Sequence, residues 1–398
     1  MISIENARIF NGEKFVSDNA LLCDKGRILE MHFQADLSYE HARENLRYID
    51  AMGFMLTPGL IDLHTHGING HDVMEDGTLS EIADACTRYG VTSFCPGGAS
   101  STNKKTRQFL HSVKDAMSCG HGANLLGAYL EGPYLGARYK GANDETMMRE
   151  PSSEDYMALV ESYGDYVRRI TLDISKSGSF AMIKELASAG VMVSVGHSEG
   201  SEEQMLKAVD MGLNSTTHTF NAMAPLHHRH PGIAGVALTD ERVYAEFIAD
   251  MIHLHPITVK LIYLAKGPER CFFCTDSILA AGMPDGEYML SFGEKVTVID
   301  GIATLGESLA GSTLTMDRGL RNLVNIAGIP PEHALQMGSL TPASAIGLEK
   351  RKGRIMPGYD ADFVLWDNDL NVMMTIVGGR IEYVREGWET HFGFSDNL

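Results

Sequence analysis

The sequence is short of positive charge, of patterned cysteines and of long apolar runs, and each shortage excludes a class of function. Lys plus Arg number 33 against 52 Asp plus Glu, a formal net charge of -19. No broad positive field is available to hold a phosphate backbone or an anionic lipid surface. Neither nucleic acid nor membrane is expected as a partner, and a small anionic substrate would need a local basic pocket. The six cysteines (Cys23, Cys86, Cys95, Cys119, Cys271 and Cys274) follow no disulfide-scaffold spacing, so free thiols in a reducing compartment are expected. The pair in "CFFC" resembles a redox or zinc pair, but residues i and i+3 of a strand point to opposite faces, which favours core packing. The opening "MISIENARIFNGEKF" lacks the basic start and long apolar core of a signal peptide, and no run approaches a membrane span; a cytosolic protein is expected. No internal repeat or low-complexity segment is present.

What remains is ordinary for a globular chain: 44% hydrophobic and 21% charged over 398 residues, a length that large α/β barrels reach. From Ala51 to Ser277 short apolar, β-branched runs alternate with amphipathic stretches. The strand candidates are "LIDLHTH", "VTSFCPG", "NLLGAYLEG", "RRITLDI", "VMVSVGHS", "NSTTHTF", "VYAEFIADMIH" and "CFFCTDS". Helical patterns fill most gaps, for example "LSEIADACTRYG" and "SEEQMLKAVDMG", several of them stopped by Gly. Eight such βα units suggest a TIM-type (β/α)8 barrel, although an open doubly wound sheet shares the local pattern. Both chain ends read as short strands with turn residues. Residues 1–53 and 350–398 are therefore expected to form one small β domain beside a barrel spanning 54–349.

The first strand candidate ends in two histidines, His64 and His66, one residue apart. Side chains at i and i+2 of a strand share a face, so both imidazoles would aim at one point. Two histidines capping a turn are the plain alternative. Collecting the polar residues at the other strand ends adds Glu131, His197, His218 and Asp276. In a barrel these ends share the carboxyl-terminal mouth, where active sites lie. Nitrogen and carboxylate donors without thiolate suit zinc or ferrous iron better than magnesium or calcium. A bound divalent ion lowers the pKa of coordinated water and polarises a carbonyl, which makes hydrolysis the natural chemistry. Asp276 beside the metal would move the proton.

The motifs "PGLIDLHTHG", "YLEGPYL", "GHS", "THTFNAMAPLHHRHPG", "ADMIH", "TDS", "SLAGSTLTM" and "LTPASAIGLEKRKGRIMPGYDADFV" run along nearly the whole chain. Together they resemble the N-acetylglucosamine-6-phosphate deacetylase family of the amidohydrolase superfamily. That resemblance implies a (β/α)8 barrel with a small β-sandwich, often as a homodimer, and deacetylation of an amino-sugar phosphate. It implies one or two divalent metal ions: Glu131, His197 and His218 match the first site, and His64 and His66 the second. Glu131 takes the bridging place of a carboxylated lysine, which the run "RRITLDI" does not offer, and Asp276 matches the catalytic aspartate. Phosphate contacts map onto Asn221, Ala222, Arg229 and His253, with Arg229 reaching over from the neighbouring subunit. Ala142, Asn143 and the "LAG" segment Leu309, Ala310 and Gly311 map beside the sugar. Two departures stand out: Asn143 replaces a histidine of several relatives, and Met251 a frequent glycine. N-acetylgalactosamine 6-phosphate or another N-acyl compound is the nearest alternative substrate, and a silent barrel scaffold the alternative of another class.

Overall fold

The computed structural model describes residues 1–32, 46–118, 120–291 and 293–392. Cys119 and the end of the "NALLCDKGRILEMHF" strand candidate lie outside them. Eight parallel strands form the body: β1 (Leu60–Thr65), β2 (Val91–Ala99), β3 (Ala128–Glu131), β4 (Val167–Leu172), β5 (Met192–Val195), β6 (Ser215–Thr216), β7 (Tyr244–Ile248) and β8 (Cys271–Cys274). They pair in chain order from β1 to β8. The seam between β8 and β1 is closed just past the strand ends, where Asp276 N–H donates to His64 O at 2.8 Å and His66 N–H to Ser277 O at 2.7 Å. All eight expected strands are present, and closure excludes the open doubly wound sheet. The strands are apolar because both faces are covered, as parallel sheets require; every residue of β1 and of β8 is buried. Cys271 and Cys274 are free, buried thiols inside that packing.

A helix follows each strand: α1 (Leu79–Thr87), α2 (Asn103–Ala116), α3 (Ser153–Val160), α4 (Ser179–Ser188), α5 (Glu202–Asp210), α6 (Gly232–Thr239), α7 (Pro256–Lys266) and α8 (Met316–Asn325). α5 begins with a reciprocal cap in which Ser201 and Gln204 satisfy each other's backbone N–H groups. α8 buries Met316, Gly319, Leu320 and Leu323, one stripe at helical spacing. α6, "GIAGVALT", escapes sequence reading for a physical reason: six of its eight residues are buried, so it shows no polar face and no amphipathic period.

Two further sheets derive from the chain ends. One orders Arg27–His32, Ala20–Asp24, Ile2–Glu5 and Arg47–Asp50; the other orders Arg8–Ile9, Met55–Pro58, Phe363–Trp366, Val372–Val377 and Arg380–Val384. Their inner side chains, among them Ile4, Leu21, Ile49, Leu56, Phe363 and Ile376, share a single apolar cluster. A small antiparallel sheet not foreseen from the sequence follows β8: β9 (Gly286–Met289), β10 (Lys295–Ile299), β11 (Ile302–Leu305) and β12 (Ser308–Leu309). It brings Leu290, Ser291, Ser308 and Leu309 to the barrel mouth.

Candidate active site

Six side chains converge at the carboxyl-terminal mouth. His64 sits in β1 and Glu131 ends β3; His66 lies just past its strand, and His197, His218 and Asp276 lie two residues past theirs. These last three adopt left-handed backbone, with φ of 47°, 32° and 48°. For non-glycine residues that is strained, and the turn bends each side chain from the strand end back over the barrel axis.

The donor atoms gather closely. His64 Nε2 lies 3.1 Å from His66 Nε2 and 3.2 Å from Asp276 Oδ1. His197 Nε2 lies 3.1 Å from both His218 Nε2 and Glu131 Oε1. Glu131 spans the two groups, with Oε2 3.3 Å from His66 Nε2 and Oε1 3.3 Å from His218 Nε2. The sets His64, His66, Asp276 and Glu131, His197, His218 each present their donors within 4.8 Å of one another. Such mutual crowding of Nε2 atoms and carboxylates suits a divalent cation held between them. Cys274 also lies near His64 and Glu246, but its thiol donates to Phe247 O at 3.7 Å and burial pushes its pKa well up, so it packs as core.

Three of the four rings are fixed through their other nitrogen. His66 Nδ1 donates to Gly97 O at 2.6 Å, His197 Nδ1 to Tyr139 O at 2.6 Å, and His64 Nδ1 to Glu246 Oε1 at 3.0 Å. Each bond leaves Nε2 facing the centre, the arrangement that metal-binding imidazoles require. His218 Nδ1 is buried with no partner among the described residues. Gly97 makes room for this approach, since a Cβ there would stand 3.1 Å from both His66 Cε1 and Tyr129 Cδ1 and would ask both rings to shift by a few tenths of an ångström. Burial opposes charge on Glu131, yet hydrogen bonds from His197, His218 and His66 hold its carboxyl well below the usual range. Asp276 is likewise held low by His64 and His66 against burial. Burial also opposes a proton on His64, but Asp276 and Glu246 raise its pKa to about 9.

A cavity of about 440 Å³ opens over this cluster. His66, Glu131, His197, His218 and Asp276 form its floor, and Ala142, Asn143, Asn221, Ala222, His253 and the Leu309–Gly311 segment its walls. Asn143 Oδ1 accepts the Ser100 N–H at 3.1 Å, so its NH2 is the group left for the cavity. Asn221 Nδ2 is buried without a partner among the described residues, and His253 Nδ1 contacts Asp250 Oδ2 at 2.7 Å. Met251, expected beside the substrate pocket, does not line the cavity but packs against the main core with φ of 64°; Arg229, expected to serve a neighbouring subunit, is exposed on its own chain, contacting His228 Nε2 at 2.9 Å. Sequence reasoning missed Arg169 and Glu246 beneath the floor. Their signal is a charged residue inside a strand, Arg169 beside Arg168 in "VRRITL" and Glu246 in "YAEFI".

The comparisons agree with this geometry. The model of the amidohydrolase family matches residues 55–381. The N-acetylgalactosamine-6-phosphate deacetylase of Escherichia coli O157:H7 is 37% identical over 333 residues, 82% of this chain and 87% of that protein. The N-acetylglucosamine-6-phosphate deacetylase of Bos taurus is 33% identical over 396 residues, 96% of this chain and 95% of its own. The crystal structure of N-acetylglucosamine-6-phosphate deacetylase from Pasteurella multocida superposes with a TM-score of 0.90 at 29% identity, covering 96% of this chain and 100% of that one. A family match across the barrel and relatives similar over nearly the full length lead to one assignment: the chain belongs to the amidohydrolase family.

Proposed function

We propose that the chain is a metal-dependent hydrolase that removes the acetyl group from N-acetylglucosamine 6-phosphate, giving glucosamine 6-phosphate and acetate. The observation that carries this reading is the meeting of four Nε2 atoms and two carboxylates under a cavity with half-buried Asn221 and His253 in its wall. Glu131, His197 and His218 would hold one divalent ion, zinc or iron, and His64, His66 and Asp276 a second. Such an ion supplies a polarised acetyl carbonyl and a water of lowered pKa. Asp276, held ionised by its histidine neighbours, takes a proton from the attacking water. As the water oxygen bonds to the acetyl carbon and the carbon–nitrogen bond breaks, Asp276 returns that proton to the departing amine. The Asn143 NH2 is the wall donor for the acetyl oxygen. The sugar phosphate is taken up by Asn221 Nδ2, the backbone at Ala222 and His253, with the Leu309–Gly311 segment along the sugar.

Arg229 does not reach the cavity of its own chain, which fits a role in a neighbouring copy's site within a homodimer. An exposed apolar row on α7, Ile257, Leu261 and Leu264, gives a second copy a surface to cover. Among the described residues no helix is long and apolar enough to cross a membrane, and five described cysteines are unpaired, in keeping with a cytosolic protein. A second substrate, N-acetylgalactosamine 6-phosphate, is favoured by the 37% identical relative of that specificity.

The test is acetate release from both epimers by protein as purified, after chelation, and after return of single metals. Release that stops on chelation and resumes with metal supports the hydrolase. A higher kcat/KM on the galacto epimer selects the second substrate, and no release with any metal defeats both.

A further inference from the structure

Arg169 in β4 and Glu246 in β7 are fully buried, and the chemistry above uses neither. They form an ion pair through Arg169 Nη1 and Glu246 Oε2, and Arg169 Nη2 donates to Glu246 Oε1 at 3.0 Å. The remaining guanidinium donors are also satisfied, Nε by Ser194 Oγ at 3.1 Å, Nη1 by Leu63 O at 3.2 Å and Nη2 by Thr217 Oγ1 at 3.1 Å. The guanidinium carbon lies 4.3 Å from the centre of the Tyr129 ring, whose edge-on neighbour is His64. Glu246 Oε1 accepts at once from His64 Nδ1 at 3.0 Å and from the backbone N–H of His218 at 3.1 Å. One carboxylate oxygen therefore touches one histidine from each donor set.

Stability does not account for this pair. Desolvating two charges offsets their attraction, and apolar side chains of the same volume generally serve as well. Barrel interiors are ordinarily filled by branched apolar residues. What an apolar pair could not supply is an acceptor at Oε1. A charged acceptor on Nδ1 keeps the proton there and leaves the Nε2 lone pair for an ion. The same oxygen braces the left-handed turn at His218.

We infer that the Glu246 carboxylate of the Arg169–Glu246 pair is a positioning device for the metal centre: its Oε1 acceptor aims the His64 ring and pins the His218 main chain, and Arg169 supplies the counter-charge that lets a carboxylate stay buried there. This rests on the metal-dependent reading above. Removing one partner alone would strand a buried charge, so the test removes both charges together. In one variant Arg169→Met is combined with Glu246→Gln, which keeps an acceptor; in the other Arg169→Met is combined with Glu246→Leu, which does not. Each full-length chain is stripped, checked for folding by thermal melt, and titrated with Co2+ against a competing chelator while its visible absorption is followed.

The Leu variant is expected to bind Co2+ about 10–100-fold more weakly than wild type, with an altered spectrum, and the Gln variant to recover most of that loss. Wild-type affinity and spectrum in the Leu variant, with only a lower melting temperature, would make the pair a packing feature and overturn the inference. Equal losses in both variants overturn it too, as does a large loss in the Gln variant should the Leu variant fail to fold. A wild-type chain that takes up no metal is a separate result, which removes the metal-dependent reading before any variant is compared.

Discussion

Protonated His253 offers two N–H groups, and among the described residues only Nδ1–H is engaged, by Asp250 at 2.7 Å. Nε2–H is then free for a phosphate oxygen; deprotonated, the ring keeps its bond to Asp250 and loses that donor. Burial opposes the proton, but Asp250 raises the pKa above the ordinary 6.5. Because the folded value lies above the unfolded one, the associated stabilisation is fully present below pH 6.5 and is lost as pH rises through the raised value. Substrate affinity should follow the same sign: KM for the sugar phosphate climbs on the alkaline side, and the climb disappears in His253→Asn. A KM flat through that range in wild type removes His253 from phosphate binding. A second test at this scale is Gly97→Ala. The new methyl presses on His66, whose Nδ1 is tied to the same residue's carbonyl at 2.6 Å, so a displaced ring should lower Co2+ affinity about 10-fold; unchanged affinity by chelator competition would show that the ring has room.

At the scale of single elements, the helices and the strand ends divide the labour between stability and chemistry. Replacing Ser201 by Ala removes the reciprocal cap of α5 and should cost about 1 kcal/mol in denaturant unfolding, with kcat unchanged. A drop in kcat instead would mean that α5 transmits strain to His197. The barrel strands and most helices were legible because their periods differ: "LIDLHT" is a continuous buried run, whereas "SEEQMLKAVDMG" repeats its apolar residues every three or four. His64 and His66 could be read by strand alternation, and Glu131 as the polar end of its own strand. His197, His218 and Asp276 were legible only as polar residues following an apolar run, since their aim depends on left-handed turns that alternation does not describe. α6 stayed hidden behind its uniform burial. The β9–β12 sheet did so because its strands are short and half exposed. Arg169 and Glu246 were missed for the opposite reason, since a charge within a strand is ordinarily taken as solvent-facing, and only the closed barrel shows that both point inward.

Across the whole molecule, the donor groups of the first and last strands meet over the seam. An ion held by His64, His66 and Asp276 would tie β1 to β8 and bind only the closed barrel, so it should stabilise the fold by mass action, about 2.7 kcal/mol at free metal 100-fold above Kd. Calorimetry of stripped and metal-loaded protein should show a higher melting temperature on loading, with a smaller rise in Asp276→Ala. Equal melting temperatures would mean that no ion bridges the seam. Assembly has its own test: Leu261→Glu combined with Leu264→Glu should yield monomers in sedimentation velocity, with little acetate release if Arg229 serves a neighbouring site. Full activity in the monomer would return that arginine to the solvent.

The seam also bears on how the protein is made. β1 leaves the ribosome early, but its partner across the seam is not complete until Asp276 has emerged, together with Ser312, whose N–H donates to Asp276 O at 2.7 Å. A nascent chain can offer His64 and His66 to an ion but cannot offer the finished centre. Filling of such a centre would therefore be a late event, following translation of the barrel rather than guiding it, and chain made without metal should accumulate full length and folded, as a melt of protein from metal-depleted cells would show.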